Sequence, residues 1–262
     1  MLADYHIHTR YSNDSSYPMQ DMIEQAIRLG LNEICITEHA DYLRNDLTYI
    51  VNYDEYLAEY RCLKAKHQDK IRIRFGVEFG VQMHTIKDFE RDFAAYPFDF
   101  VILSNHQIDD QEFWTGEYQQ GKTQREYNRG YYQAILDVIS NFKSYSVLGH
   151  LDMIKRYDRA GILEDKMNEE LIKDILRLAI ADGKGLEVNT SCFRYGLPDL
   201  TPSRTILTWY YELGGTILTI GSDCHEESHL GKQLLYAREE LRKIGFRQFC
   251  TFDRMNPIFH DL

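Results

Sequence analysis

Two short motifs near opposite ends of the chain, His6-Ile7-His8 and Gly221-Ser222-Asp223-Cys224-His225, combine residue types that ligate transition metals. Each closes a run that reads as a buried β-strand. Thr37-Glu38-His39, Gly76-Val77-Glu78, Ser104-Asn105-His106 and Gly149-His150 take the same place after their own apolar runs. Alternate strand residues share a face, so His6 and His8 can chelate one ion, and Asp223 and His225 have the same spacing. One such pair is weak, because an isolated HxH is more often structural. The combination is strong: six of the ten histidines stand at five strand ends, together with Glu78 and Asp223. Imidazole and carboxylate ligands in such numbers suit a multinuclear site for Zn, Mn or Fe, and hence a metal-dependent hydrolase.

These residues meet only if the strand ends meet. β-rich apolar runs fall at about 2–8, 33–38, 71–78, 98–104, 146–150, 186–190 and 216–222. Helical patterns lie between them, at Pro18 to Leu29, Tyr53 to His67, Thr123 to Phe142, Asn168 to Ala181, Pro202 to Leu213 and Ser228 to Ile244. Alternating strands and helices predict a parallel α/β arrangement. No Pro/Gly/Ser-rich linker divides the chain, so the expectation is one domain over 1–262. Its form is a distorted (β/α)7 TIM-like barrel with the metal site at the C-terminal ends of the strands. A doubly wound open sheet is the alternative, since strand order is not visible in the pattern. Gln107 to Lys122 reads as a long polar insertion after the fourth strand, and long loops at that end of a strand usually serve the active site.

Composition narrows the function. The 262 residues carry 44% hydrophobic residues and a net charge of −11, with a pI near 5.4. A broad basic face for nucleic acid is therefore not expected. A phosphorylated substrate is compatible with the acidic balance, because bound cations invert the local field. The five cysteines include no CxxC pair and fit a reducing compartment. No apolar run approaches a membrane span, and the N-terminus shows no signal-peptide pattern, so the expected location is cytoplasmic. Oligomeric state is not legible.

Taken in order, the ligand set resembles the PHP (polymerase and histidinol phosphatase) family of trinuclear metal phosphoesterases across nearly the whole chain. That family opens with HxH, adds a ligand about six residues on, then an acidic-His pair, a Glu, two single His and a closing DxH. The corresponding residues here are His6 and His8, Asp14, Glu38-His39, Glu78, His106, His150, and Asp223 with His225. HTRYSNDS, GHLDMIKRY, NTSCFRYG and GSDCH are similar to the histidinol-phosphate phosphatase branch. The resemblance implies three divalent ions. The first would take His6, His8, Glu78 and Asp223. The second would share Glu78 and add His106 and His150, and the third would take Asp14, His39 and His225. Asp14 stands where many members carry His. Glu38 stands where Asp is common, and is read as a partner that orients a ligand. The implied reaction is hydrolysis of L-histidinol phosphate to L-histidinol and phosphate, in histidine biosynthesis. A metal-bridging hydroxide would attack phosphorus, with Glu78, Asp223 and His225 at the catalytic centre. Arg156 and Arg194, on loops after the fifth and sixth strands, match phosphate-binding positions of the branch.

Other residues compete for a place at the site. Glu117 in the long fourth loop could hold the ammonium of an amino-alcohol phosphate, with Trp114 or Tyr118 over its imidazole; ordinary loop packing explains them equally well. Arg10 and Arg44 are weaker phosphate candidates. His67 reads as solvated, and His84, His229 and His260 as structural or exposed. Cys224 should point away from its ligand neighbours, and Cys192 lacks partner spacing for ligation. Tyr56, Tyr60, Tyr127 and Tyr131 fall at helical spacing, as core or interface. Glu169-Glu170 and Glu239-Glu240 read as solvated helix surface. Two alternatives stay open: a related phosphoesterase for another small monoester or a nucleotide, and a non-catalytic metal-binding module. An amide or lactone hydrolase on a similar barrel would have no need of Arg156 and Arg194.

Overall fold

The structure is a computed structural model, and it describes residues 1–44 and 49–262. In chain order the elements begin with β1 (Ala3–Ile7), α1 (Met19–Arg28), β2 (Glu33–Asp41), α2 (Tyr53–His67), β3 (Arg72–Gly80), α3 (Ile86–Ala95) and β4 (Phe100–Ser104). A small hairpin, β5 (Gln107–Ile108) and β6 (Gln111–Glu112), opens the long insertion. Then come α4 (Gln124–Asn141), β7 (Val147–Leu148), α5 (Glu169–Ala181), β8 (Gly185–Asn189), α6 (Arg204–Glu212), β9 (Leu218–Gly221) and α7 (Leu234–Ile244). The chain ends in β10 (Gln248–Asp253) and β11 (Asn256–Asp261).

Seven strands pair in the order β1-β2-β3-β4-β7-β8-β9, all parallel. The two edges then meet. Ile7 bridges Cys224 in parallel, His8 N donates to Cys224 O (2.9 Å), and Cys224 N donates to His6 O (3.3 Å). Edge closure makes this the (β/α)7 TIM-like barrel and excludes the open doubly wound sheet. The strands are buried on both faces, as parallel strands under helices must be. Ile34, Ile36, Phe75, Val77, Phe100, Ile102, Leu186 and Val188 are all buried. Each helix adds an apolar stripe at its own period. Met19, Met22, Ile23 and Ala26 form that of α1, and Leu171, Ile172, Ile175, Leu176 and Ala179 that of α5.

The C-terminal hairpin closes the opposite mouth of the barrel. Met255 N donates to the carbonyl of Asp99, just before β4 (2.8 Å), and Phe252 N donates to the Tyr5 hydroxyl (2.8 Å). Phe252 also packs on Phe100, with ring centroids 5.0 Å apart. One end is thus plugged by apolar side chains, and the end that holds the C-termini of the strands carries the cleft.

The structure corrects several sequence expectations. The hairpin β10–β11 and helix α3 were not foreseen. His67 is buried, because it falls four residues after Leu63 and seven after Tyr60 on the inward stripe of α2. Glu240 is also buried. It shares the inner face of α7 with Leu234 and Ala237, and its carboxylate accepts from Arg204 Nε (2.6 Å) and Lys243 Nζ (2.5 Å). Tyr56, Tyr60, Tyr127 and Tyr131 are core residues, as their spacing indicates. Among the described residues no helix is long and apolar enough to cross a membrane.

Candidate metal centre

At the C-terminal ends of the strands, Glu78 is the hub. Its Oε2 lies 3.2 Å from His6 Nε2, 3.5 Å from His8 Nε2 and 2.9 Å from His39 Nδ1. Its Oε1 lies 2.8 Å from His150 Nε2 and 3.2 Å from His106 Nε2, and accepts from Ser104 Oγ (2.6 Å). Register places them: His39 on β2 stands beside Glu78 on β3, which stands beside Ile102 on β4. Asp223 closes the ring, its Oδ1 3.7 Å from His6 Nε2 and 3.6 Å from His8 Nε2. At the rim, Asp14 Oδ2 lies 3.0 Å from His225 Nε2 and 3.5 Å from His39 Nε2, while the two imidazole nitrogens are 3.4 Å apart.

This arrangement fits cations. His6 Nε2, His8 Nε2 and His39 Nδ1 are buried around Glu78 Oε2 at 2.9–3.5 Å, and none of the four atoms makes a hydrogen bond of acceptable geometry among the described residues. Each orphaned buried polar atom costs roughly 1–3 kcal/mol, so four in one nest call for a ligand. Bonds of about 2.0–2.2 Å to a tetrahedral ion imply ligand–ligand edges of roughly 3.3–3.6 Å. The His6, His8, Glu78 and Asp223 edges match that range closely. Compact ligand triples recur next to it: His6, Glu78 and His150; His8, His39 and His225; His39, Asp41 and His106.

The imidazoles are aimed by partners behind them. Glu187 Oε1 accepts from His6 Nδ1 (2.5 Å), and Asp41 Oδ1 accepts from His106 Nδ1 (2.8 Å). Both contacts use Nδ1 and turn Nε2 toward Glu78 in the nest. Ser12 Oγ lies 3.1 Å from His8 Nδ1 and donates to Glu38 Oε2 (2.6 Å). Glu38 thus reaches His8 through Ser12. Charge follows geometry. Burial alone would push the Glu78 carboxyl up, yet His6, His106 and His39 hold it well below its usual range. Burial likewise opposes, and His6, His8 and Arg156 outweigh, for Asp223. Burial lowers His106, but Asp41 and Glu78 carry it up to about 9.

Two glycines make the crowding feasible. A Cβ on Gly80 would run into the Asp41 carboxylate and come within 3.0 Å of His106 Nδ1. A Cβ on Gly221 would collide with His6 Cβ and lie 2.6 Å from Glu187 Oε1. Asp223 itself has φ of 53°, a left-handed conformation that Asp tolerates better than most residues.

A cleft of about 360 Å³ opens above the nest, walled by His39, His106, His150, Asp223 and His225 with Arg156 beside them. Arg156 Nη2 donates to Asp223 Oδ2 (3.2 Å) and Ser191 Oγ (2.6 Å), and its guanidinium lies over the Tyr195 ring at 4.4 Å. Trp114 and Tyr157 also line the cleft. Arg194 is placed differently from the expectation. Its Nη1 donates to Ser222 O (2.8 Å) and its Nη2 to Asp223 O (2.5 Å), so it pins the turn that carries Asp223 from outside the cleft lining. Glu117 faces a neighbouring depression with Arg159 and Tyr127, not this cleft. Tyr118 is buried, with its hydroxyl donating to Tyr127 O (3.2 Å). Arg10 pairs with Glu59 and Arg44 with Asp110, both outside the cleft. His84 and His229 pair with Asp110 and Glu226. All five cysteines are free thiols, and neither Cys192 nor Cys224 lines the cleft. Sequence reasoning missed Asp41, Ser12 and Glu187. Asp41 stands two residues after His39, a spacing that could have flagged it.

The chain matches the model of the PHP domain over residues 4–191. It is 35% identical over 258 residues to the histidinol-phosphatase of Lactococcus lactis, covering 96% of this chain and 94% of that protein. It is 31% identical over 253 residues to the probable histidinol-phosphatase of Thermotoga maritima, covering 95% of each. The crystal structure of the Lactococcus lactis histidinol phosphate phosphatase, complexed with Zn, L-histidinol and phosphate, superposes with a TM-score of 0.87 at 34% identity, covering 98% of both chains. The putative histidinol phosphatase of Listeria monocytogenes shares the fold, with a TM-score of 0.74 at 20% identity, covering 89% of this chain and 99% of that one.

Proposed function

The chain belongs to the PHP domain family, and from that premise we propose that it is a metal-dependent phosphomonoesterase that hydrolyses L-histidinol phosphate to L-histidinol and phosphate. The observation that carries this reading is the nest of orphaned imidazole and carboxylate atoms around Glu78, opening on a cleft edged by Arg156. Identity to the Lactococcus lactis enzyme over nearly the full length of both chains supports the substrate. The reading takes residues 1–262 as one phosphoesterase domain and places it in the cytoplasm.

Three divalent ions are assigned to three ligand groups. His6, His8, Glu78 and Asp223 hold one, Glu78 with His106 and His150 the second, and Asp14, His39 and His225 the third. Their identity is taken as Zn, Mn or Fe, which His and carboxylate donors accommodate. When bound, such ions lower the pKa of water toward neutrality and offset the charge on phosphate oxygens.

The protein's own groups do the rest. Glu78 spans two positions, one carboxylate oxygen toward each. Asp223 and His225 line the cleft where the phosphorus must sit. Arg156 is buried, and Asp223 outweighs burial to keep it fully charged, so it presents a fixed cation to a phosphate oxygen. Stacking on Tyr195 limits the rotamers of that guanidinium, and positioning is a large part of phosphoryl-transfer catalysis. Trp114, half exposed over the cleft, offers an aromatic face to the imidazole of the leaving group.

The test is phosphate release from L-histidinol phosphate beside an aryl phosphate, sugar phosphates and nucleotides, with Zn or Mn supplied. The expected result is a kcat/KM for L-histidinol phosphate at least tenfold above the others. Metal-dependent turnover without that preference removes the substrate and keeps the site. No turnover of any ester removes the enzyme.

A further inference from the structure

The nine ligand residues are not equally sheltered. The side chains of His6, His8 and Glu78 are 0% exposed, and those of His150, Asp223 and His106 are 3%, 5% and 9% exposed. The other three form a single group at the rim: His39 at 14%, His225 at 24% and Asp14 at 49%.

Support from behind follows that division in part: on the inner side His150 Nδ1 has no hydrogen-bond partner among the described residues, and at the rim His39 Nδ1 lies 2.9 Å from Glu78 Oε2. His6 leans on Glu187, His8 on Ser12 and His106 on Asp41. Asp223 Oδ2 accepts from Asn189 Nδ2 (3.2 Å), Ser191 Oγ (3.1 Å) and Arg156 Nη2 (3.2 Å). Asp14 has no such backing. Among the described residues its carboxylate meets only the imidazoles of His39 and His225. His225 Nδ1 reaches only the carbonyl of Asp223, 3.1 Å away and two residues earlier in its own turn, besides a distant approach of 3.8 Å to Asp223 Oδ1.

Resting on the three-ion reading above, we propose that the Asp14–His39–His225 position is an exchangeable cation site beside a retained inner pair, so that free metal concentration sets activity while the inner pair stays filled. Emptying the inner nest leaves buried imidazoles and a carboxylate without partners, which is costly. Emptying the rim position lets water solvate Asp14 and His225 instead. Partners that orient a ligand are worth roughly 10–100-fold in metal affinity, so the exposed and unbacked Asp14 carboxylate makes the rim position the weaker one. It also persists when vacated. Ser15 Oγ donates to His225 O (2.8 Å) and ties the Asp14 turn to the His225 segment, so refilling requires no refolding.

The experiment is stepwise removal of metal. Zn-loaded protein is dialysed against graded concentrations of a weak chelator. Zn per chain is counted by mass spectrometry and phosphatase activity followed in parallel. The proposal expects a plateau at two ions per chain, with activity lost alongside the first ion and restored by added Zn. Asp14→Asn should hold two ions at saturation and unfold at the same temperature as the two-ion parent. Loss of all three ions in one step, or three ions retained by Asp14→Asn, overturns it. A parent chain that never exceeds two ions at saturating Zn instead contradicts the three-ion reading. Should Asp14→Asn misfold, the chelation plateau of the parent decides alone.

Discussion

Glu78 concentrates the chemistry of the site, because its two oxygens face different ligand groups. Glu78→Ala should therefore empty two metal positions together and reduce kcat by roughly 100-fold or more, as loss of a central electrostatic group does. Metal analysis of the purified variant checks this, and full metal content would refute the shared role. Arg156→Ala should act differently. It removes a charge-assisted contact worth about 1.5–3 kcal/mol, or roughly 10–100-fold in kcat/KM, with the metals retained at saturating concentration because Asn189 and Ser191 still hold Asp223 Oδ2. Unaltered kinetics would remove Arg156 from phosphate binding. Most residues of the nest were legible in the sequence because type and spacing coincide at strand ends, whereas Asp14, in the loop after β1, was indicated only by the family resemblance. Asp41, Ser12 and Glu187 were not read, since each acts through a histidine: Ser12 stands four residues after His8 without a recognised motif, while Asp41 and Glu187 meet His106 and His6 only in the folded barrel. Arg194 shows the converse: loop position marked it correctly as near the site, while its guanidinium serves two backbone carbonyls.

The elements set how closely these groups can approach. β2, β3 and β4 crowd Asp41, Gly80 and His106 into one layer, with room for no Cβ on the glycine. Gly80→Ala should cost about 1–3 kcal/mol of stability, the usual penalty for overpacking. It should also loosen metal binding by roughly tenfold through displacement of Asp41 from His106. Denaturation curves paired with metal titration measure both; unchanged values would mean that Asp41 can shift at no cost. The seven barrel strands were readable from periodicity, since buried parallel strands are apolar throughout. The terminal hairpin was not. Its turn places Arg254 and Met255 at φ of 47° and 64°, without the Asn-Gly signal that such turns usually carry. Helix α3 was missed because the 3-10 turn preceding it is capped by a Gln82–Thr85 box, not by the usual Ser or Asp. His67 and Glu240 were misplaced because charged sequence neighbours hid their inward helical phase.

At the scale of the whole molecule, closure of the barrel gathers five histidine-bearing strand ends around one carboxylate, and stability becomes linked to pH and metal. His106 is raised to about 9, and His6 and His39 also lie well above the ordinary imidazole value, because carboxylates outweigh burial. Raised groups stabilise the fold fully below their unfolded values, and that contribution is lost as pH rises through the folded ones. Ligation needs the neutral imidazoles, so metal must displace protons. Calorimetric Zn titration of the chelated protein at pH 7.5, in buffers of different ionisation heat, should show proton release, with release diminishing and affinity rising toward pH 9. Absence of any buffer dependence would mean these imidazoles are already neutral. The depressed carboxylates of Glu78 and Asp223 act in the opposite sense, since their contribution is lost only in acid.

The most direct measurement of the central claim is phosphate release from L-histidinol phosphate by one preparation in three states: as purified with metal, after complete chelation, and after Zn or Mn is restored. The account predicts turnover, its loss, and its recovery. Activity that survives complete chelation would contradict the account.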